Sequence, residues 1–277
     1  MQEKNSSLVV KDNALINASY NLDLVEQRLI LLAIVEAREK GQGINTNDSL
    51  TVHAESYVTQ FNVHRNTAYQ ALKDACENLF ERRFSYEKLT KKGNIEHVKS
   101  RWVQEVSYVE NEALVRIKFS SAVVPLITNL EKQFTSYELE QVSELNSVYA
   151  IRLYELLIAW RSASKTPVFE LGEFRAKLGV DESEYRQMNN FKNRVLDVAL
   201  KQINQHTDIT AKYEQHKSGR KITGFSFTFK PKNTSKAVKN QGREQISRDQ
   251  AAQKALPGED WNQLVKRLAK QYHITDL

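Results

Sequence analysis

The chain has 277 residues and a formal net charge of +6, a length that accommodates two ordinary domains and a balance that favours a polyanionic partner. No apolar run approaches the ~20 residues of a membrane span, and Met1-Gln2-Glu3-Lys4-Asn5-Ser6-Ser7 has no apolar signal core. The single cysteine, Cys76, rules out an intrachain disulfide framework, so the expected setting is the reducing cytoplasm, with no membrane partner.

Leu22, Val25, Leu29 and Leu32, widened by Leu24, Leu31 and Val35, recur at helical spacing and predict a helix over about 22–39, ended by Gly41-Gln42-Gly43. Residues 50–53 read as a short strand, followed by helices over 54–61 and 66–82. Cys76 falls on the apolar side of the second helix and is a core residue rather than a nucleophile. Strands are expected over 84–89, 98–109 and 113–119, with turn chemistry at Lys91-Lys92-Gly93-Asn94 and at Glu110-Asn111-Glu112.

The second half repeats this plan. A short helix is expected over 137–145 and a buried, almost wholly apolar one over 149–160; Thr166-Pro167 precedes a strand over 168–171. A second pair of helices follows, then a hairpin of strands 209–215 and 221–229 around the basic turn His216-Lys217-Ser218-Gly219. Strand, helix, turn, helix and basic-tipped hairpin is the layout of a winged helix, whose second helix fits a DNA major groove. The expected fold is α+β, with two tandem winged-helix domains related by internal pseudo-duplication and a basic, largely disordered C-terminal tail. Residues 8–130 form the first domain and 131–232 the second. The tail covers 233–277, with a disordered arm over 233–254 and a short terminal helix carrying Trp261, Leu264, Val265 and Leu268.

In the helix expected over 184–205, Phe191, Val195, Val198 and Ala199, with Leu196 and Ile203 beside them, turn inward. Arg186, Asn190, Asn193 and Asp197 follow on the opposite side, flanked by Asn189, Arg194 and Lys201, with Gln187 and Lys192 in the same segment. Arg pairs bidentately with guanine and Asn with adenine, so this face is equipped to read bases. A solvated helix surface is the competing reading. The earlier helix offers Arg65, Asn66, Tyr69, Gln70 and Lys73, but Asp74 and Glu77 follow, which leaves mainly phosphate contacts for its first turns. The hairpin tips, with Lys91 and Lys92 in one half and Lys217, Arg220 and Lys221 in the other, suit the DNA backbone or minor groove.

Enzymatic chemistry finds no support. Gly219-Arg220-Lys221-Ile222-Thr223-Gly224 is followed by Phe225-Ser226 in place of the Lys-Ser/Thr of a phosphate-binding loop. The histidines His53, His64, His97, His206, His216 and His273 form no pair at metal-binding spacing. The expectation is a non-enzyme without cofactor or metal.

Three segments carry a family resemblance: Leu15-Ile16-Asn17-Ala18-Ser19-Tyr20-Asn21-Leu22-Asp23-Leu24-Val25-Glu26-Gln27-Arg28-Leu29-Ile30; Tyr185-Arg186-Gln187-Met188 with Phe191-Lys192-Asn193-Arg194-Val195-Leu196; and the hairpin Lys217-Ser218-Gly219-Arg220-Lys221 through Phe225-Ser226-Phe227. Together the chain resembles the iteron-binding Rep initiators of theta-replicating plasmids over about residues 8–232. The resemblance implies a bacterial protein whose monomers bind direct repeats in double-stranded origin DNA, help melt an adjacent A·T-rich segment and recruit the host initiator ATPase and replicative helicase. It also implies a homodimer, formed through the first domain, that represses its own promoter at an inverted repeat. A tandem winged-helix repressor without an initiator role needs the same DNA face and remains the alternative from the residues alone.

Overall fold

The computed structural model describes residues 7–41, 45, 47–128 and 134–232, together with 244–246, 264, 268 and 272–274. The chain opens with β1 (Leu8–Asp12), a single turn α1 (Asn13–Ile16) and β2 (Ser19–Tyr20). Helix α2 (Leu24–Lys40) starts at a reciprocal cap: Glu26 N donates to Asp23 Oδ1 and Asp23 N donates to Glu26 Oε2, while Gly41 closes its end in the left-handed conformation. β3 (Leu50–His53), α3 (Ala54–Phe61) and α4 (Arg65–Glu81) follow. Next come β4 (Arg83–Leu89), β5 (Ile95–Arg101), β6 (Val103–Val109), β7 (Leu114–Phe119) and α5 (Val124–Thr128).

The second half contains β8 (Phe134–Glu138), α6 (Glu140–Ser143), α7 (Val148–Ile158), β9 (Phe169–Glu170) and α8 (Leu171–Leu178). α9 (Met188–Phe191), a π turn over Lys192–Leu196 and α10 (Asp197–His206) form one long helical rod before the hairpin of β10 (Ile209–Ser218) and β11 (Lys221–Pro231).

The internal duplication is explicit in the topology. The first copy runs α2, β3, α3, α4, β6, β7, with strand order β3-β7-β6; the second runs α7, β9, α8, α9 to α10, β10, β11, with order β9-β11-β10. Hairpin β4–β5 is an insertion in the first copy and pairs instead with β2.

Three expectations need correction. The strand expected over 98–109 is two strands in different sheets, because the fully buried Trp102 turns inward between them, its ring 4.9 Å from Tyr20 and 5.0 Å from Phe84. The helix expected over 137–145 is preceded by β8, in which Thr135 and Tyr137 alternate inward, and only Glu140–Ser143 is helical. β8 pairs antiparallel with β1, from Leu8↔Glu138 to Asp12↔Phe134, so the N-terminal strand packs with the lead-in to the second copy. The third correction concerns the hairpin with Lys91 and Lys92 at its tip. It does not occupy the wing position of the first copy; β6–β7 does, and its turn is the acidic Glu110–Glu112.

Through Lys230 the chain packs as one unit, with a continuous apolar core from Val9 to Phe229. Within that core two arginines act reciprocally. Arg28 of α2 donates through Nη2 to Ser143 O (3.2 Å) and Leu145 O (3.1 Å), in the lead-in to α7, and lies 4.9 Å from the Phe61 ring centroid. Arg152 of α7 donates through Nη2 to Ile16 O and Ala18 O (2.9 Å each), in the lead-in to α2, and lies 4.0 Å from the Tyr20 centroid. Arg28 is the fifth residue of α2 and Arg152 the fifth of α7, so each copy's first helix holds the entrance of the other from the same position.

Glu155, fully buried, is the shared carboxylate partner of Arg152 and Lys11. Its Oε1 accepts from Lys11 Nζ (2.6 Å) and Tyr137 OH (2.7 Å), and its Oε2 from Arg152 Nη1 (2.6 Å). Burial alone pushes the carboxyl up, but the Lys11 and Arg152 charges and the hydrogen bonds hold it below its ordinary value.

Residues from Pro231 onward form a separate unit. There β12 (Glu244–Ile246) pairs in parallel with β13 (Tyr272–Ile274), and Leu264 and Leu268 are helical and buried. The strand at Glu244–Ile246 stands within the arm expected to be disordered over 233–254. The rest of that arm, and Trp261 and Val265 of the expected terminal helix, lie outside the described residues.

Replacing Glu155 by Gln strands two buried cations and is expected to cost about 3–5 kcal/mol in urea unfolding, against less than ~0.5 kcal/mol for Glu77→Gln on the surface. The lowered carboxyl also sets the sign with pH. The wild-type contribution is complete above the unfolded value of ~4.3 and disappears as pH falls through the lower folded value, a loss that E155Q does not show.

Candidate nucleic-acid interface

In the second copy, β9 delivers the chain to α8, where Glu170 Oε2 accepts from Gly172 N and Glu173 N and caps the first turn. Gly179 ends α8 at φ 77°, and a Cβ there would lie 2.5 Å from Tyr20 O, so the turn requires glycine. Arg175, from the last turn of α8, then organises the connection. Its guanidinium donates to Asp181 O (3.2 Å), Glu184 O (2.5 Å) and Tyr185 O (3.3 Å) and stacks 4.9 Å from the Phe191 centroid.

Asp181 O also accepts from Glu184 N (3.1 Å), closing a turn, and Tyr185 takes a positive φ of 40°, so the rod expected to begin at 184 begins at Met188. Arg186 and Gln187 lie exposed just ahead of its first turn rather than on its side. Sequence reasoning passed over Arg175; its only signal was a cation in the last turn of the shorter helix.

The π turn sets the face. Asp197 N donates to Lys192 O, five residues back, which adds one residue to the turn. Comparison with α4 makes the insertion visible. Ala68, Leu72, Ala75, Cys76 and Leu79 are buried in α4, and Phe191, Leu196, Ala199, Leu200 and Ile203 are their counterparts in the second copy, with the extra residue between the first two. Val198, expected inward, is consequently exposed, at 38%, and Leu200 takes the inward place. Asn189, Asn193, Arg194, Asp197 and Lys201 are exposed, and Asn190 and Lys192 half-buried.

The hairpin β10–β11 is braced against this rod. Asn204 exchanges two hydrogen bonds with the backbone of Ala211, and Tyr213 OH donates to Asp197 Oδ1 at 3.2 Å. Gly224 lets β11 approach β9, since a Cβ there would stand 2.3 Å from Phe169 O. Lys217, Arg220 and Lys221 are all exposed at the tip. Rod and wing thus present a surface of arginine, lysine and amide groups, with one carboxylate, Asp197, hydrogen-bonded by Tyr213.

The first copy differs in kind. Arg65, Asn66 and Gln70 are exposed, and Tyr69 and Lys73 half-buried. Lys73 is paired with Glu110 of the acidic wing turn, which holds the lysine pKa up and the Glu110 pKa down. Arg65 Nε contacts Tyr69 OH (2.5 Å) with Glu55 3.5 Å away, and Gln70 donates to Asp74 (2.7 Å). Lys91 and Lys92 are exposed on the inserted β4–β5 hairpin, in a different sheet from the wing.

Among the described residues, no group of three or more His, Cys, Asp or Glu side chains is arranged to hold a metal ion, and no helix is long and apolar enough to cross a membrane. Burial pushes the Cys76 thiol up to about 12, in keeping with its place in the core.

Residues 8–158 match the family described as "Initiator Replication protein, WH1", and residues 170–229 match "Initiator Rep protein, WH2". An uncharacterized 27.6 kDa protein of Escherichia coli is 30% identical over 76% of this chain and 91% of its own length. A replication initiation protein of Escherichia coli is 25% identical over 74% of this chain and 64% of its own length. The crystal structure of the Pi initiator protein in complex with iteron DNA superposes with a TM-score of 0.68 at 22% identity, covering 83% of this chain and all of that one, a likeness of fold.

Arg175→Ala removes the donor that organises the turn. Hydrogen exchange is expected to accelerate over residues 181–187 and to stay unchanged over 69–79, with a stability loss of about 1.5–3 kcal/mol.

Proposed function

This chain belongs to the replication initiator family built from tandem WH1 and WH2 domains, and we propose that it starts plasmid replication by binding directly repeated duplex sites at an origin. The observation that carries this reading is the exposure of Arg186, Gln187, Asn189, Asn193 and Arg194 along and just ahead of one rod, braced against a wing whose tip bears Lys217, Arg220 and Lys221. Asn190 and Lys192 flank that face. A rod of this kind enters a major groove, its Arg and Asn side chains choose bases, and the wing follows the phosphates. The Pi initiator, which shares the fold, has been solved with iteron DNA.

The two domains take unequal roles. Residues 131–232 supply the base-reading surface. Residues 8–130 contribute backbone contacts through Arg65, Asn66, Tyr69, Gln70 and Lys73 on α4 and through Lys91 and Lys92 on β4–β5. Internal partners and the nearby Asp74 and Glu77 keep the first domain's share small. Bound copies assist opening of an adjacent A·T-rich segment and engage the host initiator ATPase and helicase. A homodimer formed through the first domain represses the protein's own promoter. The work is done in the bacterial cytoplasm by binding, without a catalytic step or cofactor. Several direct repeats beside the gene distinguish this role from that of a simple repressor, which needs one palindrome.

Arg186→Ala with Asn193→Ala is expected to relax sequence choice, each lost base pair contact being worth ~1–3 kcal/mol of discrimination. Lys217→Ala is expected to weaken all duplexes and to lower the salt dependence of binding by about one unit of slope. Fluorescence anisotropy against specific and scrambled duplexes over a salt series separates the two effects. Unchanged specific binding by the double variant contradicts the assignment of this face.

A further inference from the structure

The π turn exposes an apolar side chain in the middle of a polar surface. Val198 is 38% exposed, with Arg194 one turn before it and Lys201 one turn after it, both exposed. Its counterpart in α4, by the alignment that pairs Ala75 with Ala199 and Cys76 with Leu200, is Asp74, an exposed carboxylate that accepts from Gln70. The same structural position thus repels a polyanion in the first copy and is neutral and apolar in the second. Other large hydrophobics are exposed among the described residues, but on the two candidate reading helices the other example, Phe80, lies 5.2 Å beneath the Arg101 guanidinium at the far end of α4.

We propose that Val198 is a specificity-determining residue that reads the 5-methyl group of a thymine in the major groove. The inference rests on the groove-reading role proposed above and adds one apolar contact to its polar ones. Thymine is the only base of B-DNA that presents a methyl group in that groove, and a small apolar side chain is its ordinary partner. Reach is adequate: nine residues separate Asn189 from Val198, about 13 Å of helix, or about four base steps of a strand at ~3.4 Å each. Arg194 and Lys201 hold that part of the rod against DNA, and the apolar contact then adds choice where Coulomb attraction adds none.

The test uses the full chain and a duplex recovered with it by repeated selection from a randomised pool. Each thymine of that duplex is replaced in turn by deoxyuridine, which removes the methyl and nothing else. For the wild type, one position is expected to weaken binding three- to fivefold, the size of burying one methyl group. Val198→Ala is expected to bind the thymine and uracil duplexes alike, about as well as the wild type binds the uracil one. A flat scan, or a uracil penalty that persists in V198A, overturns the proposal. Arg194→Ala, measured alongside, separates the two layers. If R194A weakens specific binding while the scan is flat, the groove assignment stands and the role of Val198 does not; if R194A binds like wild type, both fall.

Discussion

The structure depends on a reciprocal pair of buried arginines. Arg28 grips the carbonyls that lead into α7, and Arg152 grips those that lead into α2. A guanidinium suits this task because its planar fork satisfies several acceptors at once while its face stacks on a ring. The cost of burying such a charge is offset where Glu155 and Tyr137 complete the hydrogen bonding around Arg152 and Lys11. The copies are thereby held as one unit with a common core. Gln202 of α10 extends the coupling, its Oε1 accepting from Asn146 N and Ser147 N at the entrance of α7. The rod bearing the proposed reading face is thus tied to the loop that Arg28 holds.

Duplication supplies two similar scaffolds, and small differences make them unequal. One inserted residue, absorbed as a π turn, shifts the sequence by one position while the second rod after Leu196 keeps the buried face of α4. At the wing, Glu110 and Glu112 in one copy stand against Arg220 and Lys221 in the other. A cation already satisfied by a neighbouring carboxylate has less to gain from a phosphate, and Lys73 is in that position. On our reading, both scaffolds meet the duplex but only the second carries base choice.

Much of this was legible in the sequence. Apolar periodicity located α2, α4 and α7 within a few residues, because each buries a wide stripe, and Gly41 marks the end of α2. The arginine and asparagine residues of the second rod stand out from composition alone. Long-range pairing was not legible. β1 and β8 are short segments whose alternation becomes meaningful only when each has the other as partner. Trp102 divides one apparent strand into two because its ring is needed in the core, a demand that local pattern does not carry. The start of the second rod was misplaced because a turn over residues 181–184 and the positive φ of Tyr185, a region Arg175 braces through its hydrogen bonds, interrupt a segment whose polar pattern still reads as helix. Val198 was misassigned because a regular helical wheel has no place for an inserted residue.

Interference mapping on one duplex site most directly tests the unequal division of labour. Methylation of guanine N7 reports base contacts in the major groove, and ethylation of phosphates reports backbone contacts. The account predicts phosphate interference over two segments about one helical turn apart, with guanine interference confined to the segment covered by the second domain. Guanine interference of equal strength in both segments, or confined to the one covered by the first domain, would contradict it.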